Sequence, residues 1–142
     1  MEGHVAHWEH YSHGADIGVR GIGPTVESAF EQAALALTAA ITDLDLINPL
    51  RPRRVLVNEP DLELRLVKWL NAVVFEMAVE HMLFSRFSVR FDGDELQAEL
   101  WGEPLDRLRH TPTVEVKGAT VTDLKVGSRP DGACVAQCIV DV

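Results

Sequence analysis

The chain has 142 residues, 46% of them hydrophobic and 25% charged, a composition that can bury a core without disulfides or structural metal. Its 22 acidic against 13 basic side chains give a formal net charge of −9. That balance argues against direct nucleic-acid binding, and it fits docking on a basic protein surface or solubility alone. The N-terminus lacks a cationic start followed by an apolar stretch, and no apolar run reaches the ~20 residues of a membrane helix, so a cytoplasmic protein with no membrane contact is expected.

Trp8 to His13 reads as a strand and Ile17 to Ile22 as another, with His13-Gly14-Ala15-Asp16 as the turn between them. Gly18, Gly21 and Gly23 weaken the second strand and point to close backbone approach or a bend. A helix starts at Pro24-Thr25, with Thr25 as cap and Glu27 and Glu31 near its positive end. Val26, Ala29, Phe30, Ala33, Leu37 and Ile41 follow helical spacing. Asn48 to Pro52 is a turn, and Arg54 to Asn58 a short strand.

A second helix follows Pro60-Asp61, capped by Asp61, with Leu66, Val67, Leu70, Val73, Val74, Met77 and His81 on one face and Trp69 at its edge. Phe84 to Phe91 and Glu95 to Trp101 form a hairpin around Asp92-Gly93-Asp94. Leu105 to Thr113 holds a helical turn ended by Pro112, and Val114 to Lys117 and Ala119 to Val126 are extended. Arg129 to Gly132 is a turn before the closing strand, Ala133 to Val140. This order predicts an α+β fold, a largely antiparallel sheet with two helices packed on one face. It is read as one domain over 1–142, with residues 1–6 a loose N-terminal tail.

Both ends of the chain carry candidate chemistry. Asp16 sits in a glycine-containing turn, and Asp141 follows Val135, Gln137 and Ile139 along one face of the last strand. With the terminal carboxylate on Val142, these are three hard oxygen groups suited to calcium or magnesium. The bland alternative is a turn aspartate and a solvated chain end.

His4, His7, His10 and His13 recur every third residue, which would share a face on a helix. In a strand His10 and His13 point opposite ways, so a histidine zinc site is not expected. His13 could hydrogen-bond to Asp16 and orient its turn. His81 reads as a satisfied core histidine. Glu103, Asp106, His110 and Lys117 form a looser polar set, with turn and cap chemistry the default for Asp106 and solvation for Lys117. Cys134 and Cys138 would lie about 13 Å apart along a strand, too far for a disulfide, and read as free thiols. The chain has no G-x-S-x-G, no P-loop and no dinucleotide fingerprint, so no catalytic residue is assigned.

The segment WEHYSHGADIGVRGIG, Trp8 to Gly23, resembles the opening of the archease family. The resemblance continues through Ser28-Ala29-Phe30-Glu31, Gly102-Glu103-Pro104-Leu105-Asp106, Arg109-His110, Glu115 to Thr120 and Ile139-Val140-Asp141-Val142. Gly14 stands where the family usually has threonine, and Thr122 where it often has histidine.

The resemblance implies a non-enzymatic protein cofactor of an RtcB-type RNA ligase in tRNA splicing and RNA repair. Such a cofactor promotes guanylylation of the ligase and its multiple turnover. It also implies a divalent-metal site at Asp16, Asp141 and the Val142 carboxylate. His13, Glu103, His110 and Lys117 are expected as supporting or partner-contact residues. The alternative is a chaperone-like modulator of RNA-modifying enzymes such as a tRNA methyltransferase, which needs an exposed apolar patch. A stand-alone metal-dependent hydrolase would use the same carboxylates, but has no evident base or nucleophile beyond His13 and His110.

Overall fold

The computed structural model describes residues 5–142; His4 and the start of the expected N-terminal tail lie outside that range. The fold is α+β and its strands pair antiparallel throughout. β1 (His7–His13) and β2 (Asp16–Gly23) form the first hairpin, followed by helix α1 (Val26–Ile41). β3 (Arg51–Asn58) leads to α2 (Leu62–Glu80), and β4 (Met82–Asp92) and β5 (Glu95–Pro104) form the second hairpin. A single turn of helix, α3 (Arg107–His110), precedes β6 (Gly118–Ala119), β7 (Lys125–Ser128) and β8 (Cys134–Asp141).

The strands divide between two sheets. One runs β1-β2-β8-β6, with β7 also on β8; the other runs β3-β5-β4. Helix α1 packs against β2 and β8 of the first sheet and β4 of the second. A helix faced on two sides needs small side chains, and four of its eight buried residues are alanines. Gly21 makes the closest approach: a Cβ there would lie 2.0 Å from the Ala29 carbonyl. Thr25 caps α1, its hydroxyl accepting from the Ser28 N–H while Ser28 Oγ accepts from the Thr25 N–H. Asp61 caps α2 by accepting the Leu64 N–H.

Trp69 differs from its expected edge position. It is fully buried, and its indole N–H donates to the Phe30 carbonyl of α1 at 3.0 Å, tying the helices together. His81 also differs: it is exposed and ends α2 in the left-handed region (φ 53°), a helix-terminal position in place of the expected core one. Glu31, in the second turn of α1, accepts the Val89 N–H of β4 at 2.8 Å, so its carboxylate ties the helix to the second sheet. The turn expected at Asn48–Pro52 gives way early, because β3 begins at Arg51 and pairs with Gly102. The 119–126 stretch is interrupted by a turn holding Asp123 in the left-handed region (φ 54°). Among the described residues no helix is long and apolar enough to cross a membrane.

Candidate functional site

The first sheet brings the two ends of the chain together. Asp16 opens β2, opposite His13 of β1, and Gly14 at φ +59° supplies the left-handed residue of their turn. Further across the sheet Ile17 pairs with Val140, so the next step sets Asp16 opposite Asp141. The Asp16 carboxylate accepts the Val142 N–H at 3.3 Å through Oδ1. Asp141 in turn pairs with Gly118, and its carbonyl accepts the Lys117 N–H at 2.8 Å. Three segments far apart in sequence therefore meet at one corner. Asp16 and Val142 are half-buried there, while Asp141, His13 and Lys117 are exposed.

The donors at this corner are carboxylate oxygens, the chemistry that hard divalent cations take. Among the described residues no three His, Cys, Asp or Glu side chains gather closely enough to hold a metal ion. A cation here would therefore need the Val142 carboxylate beside Asp16 and Asp141. The Asp16–Val142 hydrogen bond holds that terminal residue beside the aspartate. His13 forms no side-chain hydrogen bond to Asp16; the two are related through the strand register.

A second polar group covers the same sheet face. The Tyr11 ring lies flat against Gly18, where a Cβ would be 2.4 Å from the ring carbons. Its hydroxyl donates to Asp123 Oδ2 at 2.9 Å, and the Arg20 guanidinium sits 4.4 Å from the ring centre. Arg20 donates to Glu9 Oε1 at 2.9 Å and to Gln137 Oε1 at 2.8 Å. Gln137 closes the loop by donating to Asp123 Oδ2 at 3.2 Å. Burial, then the hydrogen bond to Asp123 and that carboxylate's charge, push the Tyr11 phenol above its usual range. Sequence reasoning passed over this group. Strand alternation would have placed Tyr11, Arg20 and Gln137 on the face of Asp16 and Asp141, but Asp123 arrives from a loop with no motif.

Glu103 and His110 pair with each other instead of joining the carboxylate corner by any hydrogen bond or ion pair. His110 is fully buried, and its Nδ1 accepts the Asp106 N–H at 2.9 Å. That assigns the ring proton to Nε2, which donates to Glu103 Oε2 at 2.9 Å. Glu103 also accepts from the Asn48 N–H at 2.8 Å and from Arg109 Nη2 at 2.7 Å. Burial alone would raise the Glu103 carboxyl; these three donors outweigh it and hold the group down at about 2. The cluster fastens α3 and the 47–48 loop to the end of β5. Asp106 caps α3 by accepting from Leu108 and Arg109. Both cysteines are free thiols.

Residues 8–142 match the family model described as "Archease protein family (MTH1598/TM1083)". The chain belongs to the archease family. It is 38% identical over 139 residues to protein archease of Pyrococcus abyssi, covering 95% of this chain and 98% of that protein. It is 40% identical to protein archease of Thermococcus gammatolerans over the same shares. The solution structure of Methanobacterium thermoautotrophicum protein 1598 superposes with a TM-score of 0.83 at 31% identity, covering 95% of this chain and 98% of that one. A Thermotoga maritima archease, described as a "possible chaperone", shares the fold at a TM-score of 0.61 and 16% identity, over 93% and 94% of the two chains.

Proposed function

We propose that this archease is a non-catalytic activator of an RtcB-type RNA ligase in tRNA splicing and RNA repair, promoting ligase guanylylation and multiple turnover. The observation that carries the reading is the meeting of Asp16 with the chain terminus at the Asp16–Val142 hydrogen bond. It gathers carboxylates from both ends of an archease chain at one accessible corner. Asp16, Asp141 and the Val142 carboxylate would hold calcium or magnesium there, and the ion would supply positive charge for orienting phosphate oxygens. The chain's own part is to present hard oxygen ligands from a rigid sheet edge. The Asp16 turn is set by Gly14, and the β8 terminus is pinned by β2 on one side and by Lys117 and Gly118 on the other.

The test mixes the protein with its cognate ligase, GTP and manganese and follows formation of the ligase–GMP adduct. Acceleration by the wild type and its loss in Asp16→Ala and Asp141→Ala supports the proposal. No acceleration, or full acceleration by both variants, rejects it.

The exposed apolar side chains of α2, Phe75 at 61% and Val79 at 52%, favour a second reading as a chaperone-like modulator of an RNA-modifying enzyme such as a tRNA methyltransferase. The description of the Thermotoga relative agrees with it. Light scattering of a methyltransferase at its aggregation temperature separates the readings, since suppression by wild type that Phe75→Ser removes belongs to the second alone.

A further inference from the structure

A groove of about 700 Å³ lies between the C-terminal half of α2, the start of β4 and the 105–117 segment. Its walls are apolar, with Val74, Met77, Leu105 and Val116 among them. Arg107 and Lys117 stand on it as exposed cations without an ionic partner among the described residues; Glu115 is its one carboxylate and His81 its one imidazole. A local cationic excess is unusual on a chain of net charge −9.

The backbone along this groove is also unsatisfied. Val114, Glu115 and Val116 belong to no helix or strand. Among the described residues their N–H and C=O groups have no protein hydrogen-bond partner, although Thr113 and Lys117 on either side are tied by their N–H groups to the Ile41 and Asp141 carbonyls. Exposure alternates along this run, with Val114 half-buried, Glu115 exposed and Val116 buried, and backbone groups without protein partners beside apolar side chains are what an added peptide strand requires.

We propose that this groove docks an extended apolar segment of the RNA ligase that carries an acidic side chain. The segment would pair with the 114–116 backbone, place apolar side chains against Val74, Met77 and Leu105, and set its carboxylate between Arg107 and Lys117. The groove ends where the carboxylate corner begins, because the Lys117 N–H bonds the Asp141 carbonyl. Docking there brings the partner's surface to Asp16, Asp141 and Val142. The inference rests on the ligase reading and adds the face and the chemistry of the contact.

The experiment measures Kd for the purified full-length protein and its cognate ligase in about 100 mM salt, beside the guanylylation assay. Arg107→Glu/Lys117→Glu alters two exposed side chains and should weaken binding by at least about tenfold. Met77→Glu, checked for retained circular dichroism, should do the same. Asp16→Ala should bind as wild type while failing to accelerate adduct formation. Groove variants that bind within about twofold of a wild type that accelerates the ligase would overturn this docking face and leave the ligase reading standing. A wild type that neither binds nor accelerates would overturn both. Concentration-dependent self-association abolished by the same variants would give the groove to a second copy of the chain, and would overturn the proposal too.

Discussion

The Asp16 carboxylate accepts the backbone N–H of Val142 at 3.3 Å, across 126 positions of sequence. The bond follows from two ladders. The β1–β2 hairpin places Asp16 at a strand start, and the β2–β8 register brings the chain terminus to the same edge. Local sequence supplies neither half alone. Removing either strand would separate Asp16 from Asp141 and Val142 and dissolve the corner.

Millimolar calcium or magnesium should therefore raise the Tm of the wild type by a few degrees, since a ligand bound only by the folded state stabilises it by mass action. Asp16→Ala and Asp141→Ala should lose most of that rise while keeping the metal-free Tm within about 3 °C, because neither side chain is part of the core. An amidated C-terminus should weaken the response as well. Scanning calorimetry with and without the ion checks all three.

Glu103→Gln should destabilise the fold by about 3 kcal/mol at neutral pH, since it leaves a buried site designed for a carboxylate facing Arg109, His110 and the Asn48 N–H. The pH dependence has a definite sign. The Glu103 carboxyl is held down at about 2 against an ordinary 4.5. Its contribution is fully present above pH 4.5 and is lost as pH falls toward 2. The variant should have a flatter acid limb over that window. Urea midpoints measured from pH 6 to pH 2.5 would refute this if the two curves stayed parallel.

The local signals that sequence carries well are those set by neighbouring residues. Thr25 and Asp61 cap their helices as capping chemistry requires, and Asp92-Gly93-Asp94 turns the hairpin. The division into two sheets was not legible, because the β3–β5 and β2–β8 pairings join strands separated by whole helices. Trp69 could be placed on a helix, but its burial depends on α1 lying alongside. At the candidate site, Asp16 and Asp141 stood out as acids in otherwise weakly charged runs. Asp123 could not stand out, because its role depends on a left-handed loop residue meeting Tyr11 and Gln137.

Gly21→Ala should cost roughly 2–3 kcal/mol, a large effect for one methyl group. The added carbon would lie 2.0 Å from the Ala29 carbonyl oxygen and 2.4 Å from the Ala33 nitrogen, both main-chain atoms of α1. Helix and sheet must move apart to admit it, and the alanine packing beneath α1 opens with them. Gly93→Ala is the useful contrast: nothing lies within 4 Å, and the cost there is only that of the left-handed φ of 61°, about 1 kcal/mol. Guanidinium unfolding of the two variants side by side would count against the close-packing account if Gly93→Ala proved the worse.

The chain has a single tyrosine, so its ionisation can be followed without interference by ultraviolet absorbance. Burial and the Asp123 carboxylate both disfavour the phenolate of Tyr11, raising its pKa well above a phenol's ordinary 10.0. A folded-state value above the unfolded one means the contribution is intact below pH 10 and declines as pH rises beyond it. The phenolate band should therefore appear only as the protein unfolds in alkali, in step with loss of circular dichroism. Asp123→Asn removes the charge and should bring ionisation to lower pH in the still-folded protein. Tyr11→Phe should cost about 1 kcal/mol for the lost hydrogen bond. It should also remove the tyrosine's share of the alkaline decline in stability. A phenolate signal rising near pH 10 in the intact wild type would contradict the Tyr11–Asp123 contact.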